Sequence, residues 1–461
     1  MESGRSPLQF HVDQPATWQR LSRCVIIRGW CFEAGRNAIQ AVRLRVAGFT
    51  LIGVVGLPRS DVKAALPEAP DESTGFEIRG VLPPGRYMIN LEARLADGTW
   101  HEFISRTVKI RRQIRPFWLG GGTVTELIAF QMPAHMAYPA RPVLVEKFPS
   151  PTRTPRPKFS IVTPSFNQAR FLGETMRSVL EQPGIECEYV VQDGGSSDGS
   201  AEIIRRFAAE GARSREQGAG RKENGGQRSD DRIQRSEISA PPAPCPLPPA
   251  PCLLSWTSEP DAGQADAIAK GFAKTSGGPD DIMAWINSDD FYLPGALAYV
   301  ADYFARHPEV DVIYGHRIVV NEDSQEIGRW FLPKHDPEVL RLNDFVPQET
   351  LFWRRRIWDK VGGIDPSFKF AMDWDLLLRF QAVGAKIVRV PYFLACFRIH
   401  AAQKTSAQIH DVGQQEIDRL RERTHDRTFP PQELEQNPRL LRYLRKSAFI
   451  EFLWKLGLRA P

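Results

Sequence analysis

An α/β domain on a mostly parallel, Rossmann-like sheet, preceded by a small all-β sandwich, is the fold class that three features of this 461-residue chain predict. From Lys158 onward, apolar strand-like runs alternate with amphipathic stretches, the rhythm of a doubly wound sheet. Between Trp18 and Arg112, short alternating segments are separated by turn residues, as in a sandwich. Met283-Ala284-Trp285-Ile286 runs straight into Asn287-Ser288-Asp289-Asp290. That reads as a buried strand delivering two carboxylates to its carboxyl end, where open α/β sheets place ligands. Adjacent strand residues point to opposite faces, so the two acids are expected to do different jobs.

In the N-terminal part, Cys24 to Phe32 is one strand and Ile39 to Val46 alternates apolar and polar residues. Gly75 to Ile78 and Arg86 to Leu95 repeat the signal, with Pro83-Pro84-Gly85 and Ala96-Asp97-Gly98 as turns. Residues 1–112 thus read as the sandwich, and 113–157 as an irregular connector with a stiff Pro-rich end. Phe159 to Thr163 is a strand, and Arg170 to Gln182 has helical periodicity. Cys187 to Val191 is the next strand, followed by a Gly/Ser/Asp turn and a helix from Ser200 to about Glu210. Residues 211–252 are Arg-, Gly- and Ser-rich, then Pro-rich, and read as a disordered insertion that buries too little apolar surface to fold. The α/β domain spans 158–405, and 406–461 reads as a charged helical segment. Its end, Leu440 to Leu458, is basic and amphipathic, compatible with a membrane surface but more simply with packing on its own domain.

A formal net charge of +5 is modest for this length and does not argue for nucleic-acid binding. The six cysteines have no tight metal spacing. Cys24 and Cys31 could sit on neighbouring strands, but a reduced cytosolic state is the simpler reading. Neither a signal-peptide core nor an apolar run of about 18 residues is present, so a cytoplasmic protein is expected.

Four segments carry chemistry. Asp193-Gly194-Gly195-Ser196-Ser197-Asp198-Gly199-Ser200 follows a strand: Asp193 can accept from a base or ribose, and Asp198 or Ser200 can cap the next helix. Glu259 to Gly271 is a loop entering a helix, with Asp261 as cap and Asp266 and Lys270 paired at i and i+4. Either acid of Asp373-Trp374-Asp375 can favour a helix start, or serve as a general base near a substrate hydroxyl. His400, after an apolar strand, is structural unless it faces the same cleft.

Val162 to Asn167, Asp193 to Ser200, Asn287 to Asp290, Gln348 to Arg354, Asp373 to Leu376 and Arg398-Ile399-His400 together resemble the family 2 glycosyltransferases, which have the GT-A fold. The motifs fall in the family's order over about 158–405. The resemblance implies that Asp193 holds the nucleotide, with Thr163, Pro164 and Phe166 lining that pocket. It implies that Asp289, with Asp290 and His400, serves a divalent cation, Mn²⁺ or Mg²⁺. Asp373 matches the base that deprotonates the acceptor, with Gln348 and Trp374 near that acceptor. Asn287 stands where the family's Asp-x-Asp motif has its first acid; it can bond a ribose but removes a negative charge beside the metal. The implied reaction is inverting transfer from a nucleotide-diphosphate sugar to a glycan or lipid-linked acceptor, for a surface polysaccharide; the basic C-terminal helix is compatible with such work at the inner membrane face. The N-terminal part resembles small β-sandwich modules fused to bacterial glycosyltransferases, through Arg28 to Phe32, Gly56 to Val62 and Ser73 to Phe76. Two other functions compete. A nucleotidyltransferase would open with a Gly-rich phosphate loop, which Thr163 to Asn167 lacks; a non-catalytic glycan-binding scaffold has no need of Asp289, Asp373 and His400.

Overall fold

Phe159–Ser165, Cys187–Asp193 and Ile282–Trp285 are almost wholly buried apolar runs, because a parallel strand covered on both faces needs no polar alternation. The computed structural model describes residues 8–458 apart from 16, 19, 22–23, 34–38, 47–48, 67, 83–84, 111–136, 146, 151–155, 221–251, 401–411 and 456–457. The chain divides into two units. One comprises Val145–Gly315 and Pro347–Cys396; the other comprises Met1–Leu144, His316–Val346 and Phe397–Pro461.

In the first unit, Cys252–Ser258, Cys187–Asp193, Phe159–Ser165 and Ile282–Trp285 lie side by side in that order, all parallel. Along the chain these are the third, second, first and fourth strands, so the strand order reverses between Phe159–Ser165 and Ile282–Trp285. Phe352–Arg354 then pairs antiparallel with Ile282–Trp285, making the sheet mixed. Helix Ala169–Leu180 buries Phe171, Leu172, Met176 and Val179 of the positions its periodicity marks and leaves Leu180 half-buried. Helix Gln264–Ala273 lies close to the first strand: a Cβ on Gly271 would come within 2.4 Å of Val162 Cγ1. The helix from Ser200 runs on to Gly220, past its expected end at Glu210. Most of the expected insertion, 221–251, lies outside the described residues.

The other unit holds the all-β module. Its eight strands pair in an order that starts at Leu8–Gln14 and ends at Arg20–Leu21. All pairings are antiparallel except that of Arg20–Leu21 with Lys109–Ile110. Inward residues of both faces, among them Ile27, Val42, Leu44, Phe76, Leu91 and Val108, share one core. Val319 and Ile327, from far along the chain, belong to that core too. Cys24 and Cys31 fall on a single strand, Cys24–Glu33, which corrects the reading that they could sit on neighbouring strands. Cys31, Cys187, Cys252 and Cys396 are free thiols. Within the expected irregular connector, Ala137–Arg141 forms a strand against Glu326–Trp330. No local pattern announces it, because its partner lies far along the chain. Helix Pro438–Lys455 packs within this unit through Tyr443 on Phe345 (5.2 Å separates Trp454 from Phe331 further along). Among the described residues no helix is long and apolar enough to cross a membrane.

Candidate functional site

A strand-order reversal leaves a crevice at the carboxyl ends of the two flanking strands, since their following connections run to opposite sides. Here those ends are Thr163 to Asn167 and Ile286 to Asp290, with Asp193 and Ser258 at the ends of the next two strands.

Asp193 is fully buried, and its carboxylate accepts from Ser196 N (3.0 Å), Ser196 Oγ (2.6 Å) and Ser258 Oγ (2.6 Å). The loop after it is fastened to the first strand end. Asn167, at φ 52°, donates its backbone N–H to Ser196 Oγ and accepts from Ser197 N through Oδ1. Asp198 does more than the expected capping. It accepts from Ser200 N and Oγ at the start of its own helix, and from Ala169 N at the start of another. Burial opposes its charge, but these hydrogen bonds, Ser200 Oγ foremost, outweigh that and hold its carboxyl below the usual range. Gly194 leaves room that a side chain would close: its Cβ would lie 2.8 Å from Asp261 Oδ2 and 3.3 Å from Phe166 Cδ2.

Of the three residues expected to line a nucleotide pocket, Phe166 is 61 % exposed, whereas Thr163 and Pro164 are buried. The Thr163 hydroxyl pairs with Tyr189 Oη at 2.9 Å inside the sheet. Ser165 Oγ is buried at the strand end with no hydrogen-bond partner among the described residues.

Across the crevice the strand ends at Trp285, so Asn287 to Asp290 form a turn rather than a strand terminus. The different settings of the two acids therefore come from the turn, not from pleat alternation: Asp290 is 1 % exposed and Asp289 is half-buried. Thr175 Oγ1 donates to the carbonyls of Ser288 (3.0 Å) and Asp290 (2.7 Å), fixing the turn from beneath. Asn287 Oδ1 accepts from Gln264 Nε2 at 2.7 Å, and its Nδ2 donates to Gln348 Oε1 at 3.0 Å. Gln348 Nε2 in turn donates to the Trp285 carbonyl at 2.9 Å.

Gln264 opens helix Gln264–Ala273, whose N-cap is Gly263 at φ 116° and not Asp261. Asp261 instead braces Gly263 by accepting its N–H at 2.8 Å. The expected Asp266–Lys270 pair forms at 2.8 Å. Gln264 carries no pattern that sequence reasoning could have used; a glutamine at a helix start is ordinary.

Asp373 and Asp375 lie within the first turn of helix Met372–Ala382, not ahead of it. The structure separates them. Asp375 is fully buried and pairs with Arg379 at 2.8 Å, a bracing role, whereas Asp373 is half-buried. Trp374 is fully buried. Arg354, ending the Gln348 motif, donates to the carbonyls of Val310, Phe304, His307 and Asp280, which marks it as a structural hub. His400 is 5 % exposed and belongs to the unit with the β module. Among the described residues no group of three or more His, Cys, Asp or Glu is placed to hold a metal by itself.

A buried strand-end carboxylate and an acid-bearing turn thus lie at the carboxyl ends of parallel strands, where open α/β sheets place ligands. Residues 160–222 match the family model described as glycosyl transferase family 2. Among curated relatives, the O-antigen biosynthesis protein RfbC of Myxococcus xanthus is 27% identical over 234 residues. That match covers 50% of this chain but only 15% of RfbC. An uncharacterized glycosyltransferase of Nostoc is 24% identical over 56% of this chain and 70% of its own. The PGL/p-HBAD biosynthesis glycosyltransferase of Mycobacterium bovis is 24% identical over 50% of this chain and 73% of its own. Among solved structures, the mannosyltransferase PcManGT of Pyrobaculum calidifontis, in complex with GDP-Man and Mn²⁺, aligns with a TM-score of 0.41 at 16% identity. That alignment covers 69% of this chain and 80% of the other.

Proposed function

We propose that this chain moves a sugar, with inversion, from a nucleotide-diphosphate sugar to a glycan or lipid-linked acceptor in surface polysaccharide or glycolipid synthesis. The observation that carries the reading is that Asp193 and the Asn287 to Asp290 turn lie at carboxyl ends of parallel strands on opposite sides of the reversal of strand order, Asp193 one strand out from it. The names of the curated relatives support the substrate class. On the nucleotide side, the exposed Phe166 ring offers a stacking face beside Gly194. Ser165 Oγ, buried and unpartnered among the described residues, offers a polar group with unused capacity.

Asp289 and Asp290 suit a hard cation, Mn²⁺ or Mg²⁺: such ions take one or two carboxylates and complete their shell with substrate phosphates and water. That mode agrees with acids too few to hold the ion alone among the described residues. When bound, the ion supplies positive charge opposite the departing diphosphate. Asp373 takes the proton of the acceptor hydroxyl as that oxygen attacks the anomeric carbon from the face opposite the leaving group. Asp375, committed to Arg379, keeps the helix start in place. Action at the cytoplasmic membrane face fits the exposed Arg439, Arg442, Arg445 and Lys446 of the last helix.

The test is a thermal-shift panel of UDP-, GDP- and dTDP-sugars with and without Mn²⁺. A ligand at about 100 times its Kd adds about 2.7 kcal/mol of stability, a readily measured shift. One donor should stabilise the protein, and Asp289→Ala should remove the Mn²⁺-dependent part. Silence to every nucleotide would favour a scaffold instead.

A further inference from the structure

The side-chain amides of Gln264, Asn287 and Gln348 form a relay that ends on the Trp285 carbonyl, with links of 2.7, 3.0 and 2.9 Å. Its direction is set by its last member. A backbone carbonyl only accepts, so Gln348 must turn its Nε2 toward Trp285 and its Oε1 toward Asn287. Asn287 must then donate through Nδ2, which leaves Oδ1 to accept from Gln264. Flipping any one amide sets two acceptors or two donors against each other somewhere along the line. The relay runs from the half-buried start of helix Gln264–Ala273 to the buried Gln348, so a broken link is not simply replaced by water.

We propose that Gln264 is a positioning residue of this site, and that position 287 serves as the donor–acceptor midpoint of this relay rather than as a metal ligand. The neutral amide is required there because only a group with one donor and one acceptor satisfies both neighbours. An ionised carboxylate at 287 would keep the bond from Gln264 but place its second oxygen against Gln348 Oε1. Gln264 and Gln348, one at a helix start and one in the turn Gln348–Thr350, are thereby tied to the same atom pair, so the nucleotide and acceptor sides share one support.

The role of the relay in turnover rests on the glycosyltransferase reading; its chemistry does not. The experiment is a double-mutant cycle in melting temperature at one fixed pH with no ligand present, using Gln264→Leu, Gln348→Leu and the double variant. If the relay acts as one unit, the double variant melts about as low as the worse single one. Strictly additive losses overturn the proposal. Gln264→Leu and Gln348→Leu, singly and together, give a second readout through nucleotide binding, with UDP or GDP and Mn²⁺ as probes. If the relay acts as one unit, the double variant loses about as much affinity as the worse single one; strictly additive losses overturn the proposal. Should no probe bind the parent protein, the transferase reading fails while the melting temperatures still decide the relay.

Discussion

Asp193 tests whether a buried carboxylate braces a loop, binds a nucleotide, or does both. Its two oxygens accept three hydrogen bonds, from Ser196 N, Ser196 Oγ and Ser258 Oγ, with no solvent contact. A hydrogen bond to a charged group is worth roughly 1.5 to 3 kcal/mol. Asp193→Ala strips the acceptor from all three, but the two hydroxyls can turn to other partners, so the net loss should be about 3 to 5 kcal/mol. Asp193→Asn keeps the shape. Its oxygen can serve Ser196 N and Ser258 Oγ, and its amide can donate to Ser196 Oγ, so the loss should be about 1 kcal/mol. The same change should weaken nucleotide binding by roughly tenfold or more, since a charged acceptor for the base or ribose is gone. Urea unfolding followed by circular dichroism reads the first quantity, and calorimetric titration with the responding nucleotide the second. An Asp193→Ala protein as stable as the parent refutes the brace. An Asp193→Asn protein with undiminished nucleotide affinity refutes the ligand role and leaves a brace alone.

Further outcomes follow from the same geometry. Asp373→Asn should lower kcat by roughly 100- to 10,000-fold with the melting temperature little changed, the effect of losing a general base. Asp375→Ala should instead destabilise by about 2 kcal/mol, since it removes the buried acceptor of Arg379 Nε while Nη1 keeps only the Val361 and Gly363 carbonyls. Gly271→Ala should destabilise by roughly 1 to 2 kcal/mol in chemical denaturation: crowding against the buried Val162 outweighs the gain in helix propensity. Burial lowers His335 to about 4, with the charge of Asp336 opposing. The unfolded chain takes up this proton near its ordinary value of about 6.5, so stability is complete above that and falls as pH drops toward the folded value. The loss should reach at most about 3 kcal/mol and be abolished in His335→Gln, measured by melting across that range.

Much of the α/β unit was legible because its strands are covered on both faces. Phe159–Ser165, Cys187–Asp193 and Ile282–Trp285 write that burial as unbroken apolar runs. The reversal of strand order was not legible, because pairing between strands more than one hundred residues apart leaves no local trace. For the same reason Asp198 read as a cap for its own helix, while its bond to Ala169 N went unseen. The short strand Ala137–Arg141 was hidden by the distance to its partner, Glu326–Trp330. Asp373 and Asp375 read alike, as acids at a helix start; only packing commits the second to Arg379. Asn287 stood out as a departure from an acidic motif, but its reason, two amide neighbours drawn from a helix start and a distant turn, exists only in three dimensions.

The most direct measurement is proton NMR of the sugar's anomeric centre during turnover, using whichever nucleotide sugar stabilises the protein. Single displacement with Asp373 as base predicts release of the nucleoside diphosphate and a product of opposite anomeric configuration to the donor, with both signals lost in Asp373→Asn. A product of retained configuration, or full turnover by Asp373→Asn, would contradict it.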